Sequence, residues 1–255
     1  YNALRAICDR GDEVIIPAPY WVSYPEMVKL VDAKPVIIQT SPKNHFKITP
    51  AQLKKAITKK TKAFILCSPS NPTGSVYSQH EIEQLAHIVE KTGIYVISDE
   101  IYEKVIYDDA KHFSMGSIDA VRNQVVTVNG VSKVFAMTGW RIGYMGAHKD
   151  IVQAAEKIQS QMTSNASSIS QKAALAALTN DLDSEVRVMV EEFDRRRHFL
   201  IHEMKKIPHI GFIYPKGSFT LFLNVKSYLH KRVQGKQIGT SDSLCDYFLN
   251  EHSVA

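Results

Sequence analysis

The 255-residue sequence predicts an α/β fold built on a mostly parallel sheet flanked by helices, with part of a smaller α+β domain after it. Three observations carry that expectation. The runs Glu13 to Ile16, Pro35 to Ile38, Ala63 to Cys67, Ile94 to Ser98 and Val125 to Val128 are four or five residues long and almost wholly apolar. Such runs mark strands buried on both faces. Between them lie longer stretches with apolar residues at helical spacing, and strand–helix alternation is how parallel strands are connected. After Lys149 the pattern changes to long helices and one strand pair.

In chain order, Tyr1, Leu4 and Cys8 already recur at helical spacing, so the sequence opens inside a helix that lacks its N-cap. Thr49-Pro50 ahead of Leu53, Ala56 and Ile57 is a cap with proline at the first helical position. Ser78 with Glu81 forms a capping box that opens Ile82, Leu85, Ala86 and Val89, and Gly93 closes that helix. Further on, Ile151 to Met162, Ile169 to Leu178 and Val186 to Lys206 read as helices. Ile210 to Tyr214 and Phe219 to Val225, joined by Pro215-Lys216-Gly217, read as an antiparallel pair, and Asp242 to Asn250 as a last helix. The change of pattern near Leu182 to Val186 divides the chain into residues 1–183 and 184–255, bridged by the long helix from Asp183. No repeat or low-complexity linker is visible. The uncapped start and the unfinished end at Ser253, Val254 and Ala255 predict a piece of a longer protein.

Composition narrows the function classes. Hydrophobic residues make up 44% and charged residues 22%, enough apolar material for a core without staples. The 31 Lys and Arg against 26 Asp and Glu leave +5, spread along the chain. The densest patch, Arg195 to Arg197, lies in a helical pattern and reads as a solvated face, so no nucleic-acid partner is expected. No stretch approaches the ~18 apolar residues of a membrane span. Cys8, Cys67 and Cys245 are odd in number and far apart, and the ten histidines lack metal spacing. Reduced thiols, a cytoplasmic location and no metal are the expectation.

Ligands of open α/β sheets sit beyond the carboxyl ends of the strands, so the residues directly after each run are the candidates for chemistry. After Ala63 to Cys67 comes Ser68-Pro69-Ser70-Asn71-Pro72-Thr73-Gly74, a turn whose prolines restrict the backbone and present Asn71 in one orientation. After Ile94 to Ser98 comes Asp99-Glu100-Ile101-Tyr102. After Val125 to Val128 come Ser132-Lys133 and, eight residues beyond the lysine, Arg141. Singly, each has a bland alternative: a loop, an N-cap, an exposed charge pair. Together they would meet at one edge of one sheet.

The set resembles the fold type I pyridoxal-phosphate enzymes, specifically the class I aminotransferases of the aspartate aminotransferase family. SPSNPTG, SDEIY and SKVFAMTGWRIGY match that family's motifs in order and spacing, and APYWVSYPEM resembles its ring-stacking segment. KGSFTLFLNV and GTSDSLCDYFLNEHSVA resemble its small domain, so the likeness covers essentially the whole chain. It implies a three-layer PLP-transferase fold with pyridoxal 5′-phosphate as cofactor. Lys133 would be the imine lysine and the general base and acid, and Asp99 the partner of the pyridinium nitrogen. Asn71 and Tyr102 would hold the ring's phenolic oxygen. Arg141 would take the phosphate with its planar two-pronged donor set, Trp21 would stack on the ring, and Ser132 would be a phosphate or neighbouring contact. The pattern departs at Gly130, where many relatives carry a serine three residues before the lysine. Trp140 and Tyr144 are expected in the core or packed around the lysine loop.

The activity so implied is transamination between aspartate and 2-oxoglutarate through a Lys133 internal aldimine and a pyridoxamine form, in a homodimer with shared sites. Alternatives are an aromatic or alanine aminotransferase or a carbon–sulfur lyase of the same fold, or a non-catalytic domain that senses the cofactor or an amino acid. A nucleotide-dependent dehydrogenase is disfavoured, since no GxGxxG follows any strand.

Overall fold

In the computed structural model, which describes residues 1–254, all five expected strands form within two residues of their expected ends. They are β1 (Glu13–Ala18), β2 (Lys34–Gln39), β3 (Thr61–Cys67), β4 (Tyr95–Asp99) and β5 (Val125–Gly130), and all run parallel. A sixth strand, β6 (Gly143–Gly146), joins β5 antiparallel and completes a sheet ordered β2-β1-β3-β4-β5-β6. Gly-Tyr-Met-Gly has no β-branched residue and gave no strand signal.

Why the runs are apolar throughout is visible in β3. Ala63 and Ile65 face one core and Phe64 and Leu66 the other, all at most 3% exposed, because successive side chains of a strand point to opposite faces. One face carries α1 (Asn2–Ile7), α2 (Ser23–Lys29) and α6 (Lys149–Met162), through Leu4, Ile7, Val28 and Ile151. The opposite face carries α3 (Pro50–Ala56) and α4 (Gln79–Thr92), through Leu53, Ile82, Leu85 and Val89. The result is three layers. Both expected caps form: Thr49 pairs with Gln52 and Ser78 with Glu81 in capping boxes, and Gly93 ends α4 in the left-handed region at φ 72°.

Beyond the sheet come α5 (Val131–Val134), α7 (Ser168–Thr179) and the 24-residue α8 (Asp183–Lys206). The antiparallel pair is present as β7 (Gly211–Phe212) and β8 (Leu223–Asn224), but it is only two residues long on each side. The stretch between them is no simple hairpin, because its backbone is held elsewhere. Lys216 N donates to Gly74 O at 2.8 Å, Ser218 N to Val105 O at 2.9 Å, and Arg197 to Pro215 O at 2.8 Å. A second hairpin, β9 (Lys231–Val233) with β10 (Lys236–Ile238), was not expected; Gln234 and Gly235, both at positive φ, make its turn. The last helix, α9, spans Ser241–His252. Ala255, the end of the expected smaller part, lies outside the described residues.

Two expectations need correcting. Arg195 and Arg196 do form an exposed face, both bonded to Glu192, but Arg197 is buried against Asp108, since each step along a helix turns the side chain by about 100°. Trp140 is 43% exposed rather than in the core, whereas Tyr144, although 41% exposed, lines a cavity with Gly130, Val134 and Phe135 of the lysine loop. The three cysteines are unpaired: Cys8 buried, Cys67 half-buried and Cys245 exposed. Among the described residues no helix is long and apolar enough to cross a membrane.

Candidate active site

The parallel strands deliver their carboxyl ends to one edge. β1 ends at Ala18, just before Trp21; β3 at Cys67, just before Asn71; β4 on Asp99 itself; and β5 at Gly130, just before Lys133. Pairing sets Cys67 beside Asp99 and Asp99 beside Val128, so these positions are level. Arg141 reaches the same edge by a different route. Because β6 is antiparallel and Gly143 pairs with Gly130, β6 enters the sheet where β5 leaves it, with Arg141 directly ahead of it. The chain also changes direction here: from β1 it goes outward to β2, then returns past β1 to β3, opening a crevice between β1 and β3.

Trp21, Asn71, Asp99, Tyr102, Ser132, Lys133 and Arg141 line one cavity of about 280 Å³. Tyr24, Cys67, Ile101, Val128 and Thr138 complete its walls and were not singled out from the sequence. Tyr24 had a legible signal, lying one helical turn beyond Trp21 in APYWVSYPEM, and its ring meets Trp21 edge-on with centroids 5.5 Å apart. A larger cavity of about 520 Å³ lies outside β6, against α1 and α6, but Glu156 is the sole charged side chain in its lining and it lacks a convergent polar set.

The electrostatics single out Asp99. Its Oδ2 accepts from the Tyr24 hydroxyl at 2.6 Å and its Oδ1 from the Ile101 N–H at 3.2 Å. Burial still pushes its carboxyl above the usual range, with the Glu100 charge adding to the rise and the two hydrogen bonds opposing it. No cation pairs with it among the described residues. Across the cavity, Lys133 and Arg141 form no ion pair among those residues either. Arg141, with its backbone in the left-handed region at φ 54°, donates NH1 to Thr138 O at 2.9 Å. Lys133 Nζ stands over the Phe219 ring, 5.4 Å from its centroid. Burial raises the Tyr102 phenol to about 12, with Asn71 and Ser218 side chains beside it. The Cys67 thiol is likewise raised to about 12, by burial and then by the Asp99 charge.

A phosphorylated pyridine aldehyde fits this donor set. An unpaired, half-buried carboxylate suits a protonated ring nitrogen, an unpaired lysine an aldehyde, and an unpaired arginine a phosphate. The departure at Gly130 also has a physical reason. A Cβ there would lie 2.9 Å from the Ile142 carbonyl oxygen and 3.2 Å from Gly143 Cα, so the close approach of β5 and β6 leaves no room for serine. The serine that lines the cavity is Ser132.

Comparison with known proteins agrees with this chemistry. The family model for aminotransferase class I and II matches residues 1–255. A bifunctional aspartate aminotransferase and glutamate/aspartate-prephenate aminotransferase from Petunia hybrida is 49% identical over all of this chain and 54% of its own length. An aspartate aminotransferase from Geobacillus stearothermophilus is 46% identical over 89% of this chain and 58% of its own. Among solved structures, the aspartate aminotransferase from Rhizobium meliloti superposes with a TM-score of 0.95 at 38% identity, covering all of this chain and 64% of that one. The chain thus spans between half and two thirds of the length of these relatives. It belongs to the class I and II aminotransferases, a family of pyridoxal-phosphate-dependent enzymes.

Proposed function

We propose that the protein carrying this chain transfers an amino group between aspartate and 2-oxoglutarate, giving oxaloacetate and glutamate. The observation that supports it most is the convergence of seven sequence-selected residues on one cavity in which an acid and two cations lack ionic partners. Pyridoxal phosphate, when bound, supplies an electron sink for the substrate's α-carbon.

The chain's own residues account for the rest. Asp99 holds the proton on the ring nitrogen, and its Tyr24 and Ile101 hydrogen bonds keep it aimed into the cavity. Lys133 would supply the amine that holds the aldehyde and, once displaced by the substrate's own amino group, would carry a proton from the substrate α-carbon to the former aldehyde carbon on the far side of the shared nitrogen. Asn71 and Tyr102 donate to the ring's phenolic oxygen, and Trp21 covers one ring face. Arg141, with Ser132 beside it, grips the phosphate in the two-pronged manner that a lysine cannot supply. In this reading residues 1–183 form the cofactor domain and 184–255 part of a smaller domain. The working unit is a homodimer with shared sites, in a reducing cytoplasm that suits three free thiols.

The test supplies aspartate and 2-oxoglutarate to the protein with pyridoxal phosphate and follows oxaloacetate. Turnover with aspartate is the expected result; turnover with phenylalanine but none with aspartate overturns the substrate assignment. Prephenate as amino acceptor is a further arm, prompted by the name of the Petunia relative.

A further inference from the structure

We propose that Phe219 positions the reactive amine of Lys133, an inference that rests on reading Lys133 as the aldehyde-capturing lysine. A lysine side chain is a flexible four-carbon stem, so something must hold its end in place. No hydrogen bond or ion pair to Nζ is present among the described residues, and the group it meets is the face of Phe219, centroid at 5.4 Å.

The ring is 45% exposed and packs against two other rings, while the backbone on either side of it is anchored. Its centroid lies 5.3 Å from that of Tyr102, nearly perpendicular, and 5.6 Å from that of Phe193 on α8. Its neighbour Ser218 is fully buried, donates its N–H to Val105 O at 2.9 Å and accepts from the Tyr107 hydroxyl at its carbonyl. On the other side Thr220 Oγ1 donates to Pro72 O at 2.8 Å, tying the segment to the Asn71 turn. Glycines let these segments touch: a Cβ on Gly217 would sit 2.7 Å from Pro69 Cβ, and one on Gly74 would sit 2.3 Å from Pro215 Cβ. The Pro215–Thr220 strap therefore presents one rigid ring to both Lys133 and Tyr102.

The choice of an aromatic face has a chemical consequence. A carboxylate partner would hold the amine by holding its proton, and an amine must lose that proton to attack. A ring face attracts the cation by only about 0.5–1 kcal/mol at a partly exposed site, which orients Nζ without locking the proton on it. Capture then joins Nζ to the aldehyde carbon, and the carbonyl oxygen leaves as water with two protons that the amine nitrogen gives up.

The experiment compares the whole protein with Phe219→Ala, Phe219→Leu and Phe219→Tyr. Covalent capture of pyridoxal phosphate is followed by borohydride trapping and mass spectrometry at Lys133. Non-covalent binding is followed separately with pyridoxine 5′-phosphate, which keeps the ring and phosphate but has no aldehyde. Alanine and leucine are expected to slow capture by about threefold to fivefold, the size of a lost cation–π contact, with tyrosine restoring it. Binding of pyridoxine 5′-phosphate should stay within twofold. Capture by Phe219→Ala at the parent rate, or an equal fall in capture and binding, overturns the proposal. A parent protein that captures no pyridoxal phosphate at Lys133 overturns the cofactor reading itself, and this inference with it.

Discussion

Two aspartates a short way apart in the chain, Asp99 and Asp108, have opposite electrostatic surroundings. Asp108 meets Arg197 through two parallel hydrogen bonds at 2.7 and 3.0 Å and Lys216 at 3.1 Å, and these cations hold its carboxyl far below the usual range. Asp99 has hydrogen bonds but no cation, and burial pushes its carboxyl up. Asp108 is a structural joint: Arg197 also bonds Asp194 and Pro215 O and stacks on Tyr107, so α8, the 102–108 segment and the strap are tied at one point. Asp99 is an acid with no cationic partner among the described residues. An acid left without its cation at a strand end, in a cavity, is the physical signature of a ligand site.

The contrast can be broken at several points. Lys133→Ala should remove the largest effect, lowering aspartate turnover by at least ~10³-fold, since no other amine lines the cavity. In Asp99→Asn, pyridoxal phosphate should bind more weakly and turnover should fall by about 10²-fold or more, read by titration and initial rates. The same variant should be more stable than the parent without cofactor at neutral pH, read as a higher melting temperature. The sign follows from the raised folded-state value: the cost of ionising Asp99 is absent below the ordinary unfolded carboxylate range near ~4, builds as pH rises from there, and is complete above the raised folded value.

Arg197→Met should lower stability by about 2 kcal/mol, measured by urea unfolding, because it strips a partly exposed acid of its bidentate partner and frees Pro215 O. Asp108 should show the reverse pH trend to Asp99. Its contribution is complete above the ordinary carboxylate range and lost as pH falls through its depressed folded value, so the parent and Asp108→Asn should converge in stability in acid. The smallest effect belongs to Tyr24→Phe, which removes one hydroxyl from Asp99 and should weaken cofactor binding by about threefold to tenfold, as the loss of one hydrogen bond of ordinary strength implies.

Legibility from the sequence varied with the kind of constraint. The five parallel strands were readable because burial on both faces forces every position in a run to be apolar. Helix ends at Thr49, Ser78 and Gly93 were readable because their orphan backbone groups need particular residue types. β6 was not, since its pairing with β5 is set by the close contact of Gly130 and Gly143 rather than by its own residues. The strap is not distinguishable from a hairpin turn in the sequence, because Pro-Lys-Gly looks the same whether it reverses a chain or lies flat against a distant one. The burial of Arg197 is not legible either, because a run of three arginines conceals which one turns inward.

The residue types of the candidate site were determined by the sequence, because Asn71, Asp99, Lys133 and Arg141 each follow a recognisable run at fixed spacing. The tertiary structure decided which charges were left unpaired. Whether an aspartate meets an arginine depends on contacts between residues far apart in the chain, such as Asp108 with Arg197, and no local pattern encodes them. The same holds for Phe219, brought under Lys133 by a strap whose anchors lie at Gly74, Val105 and α8.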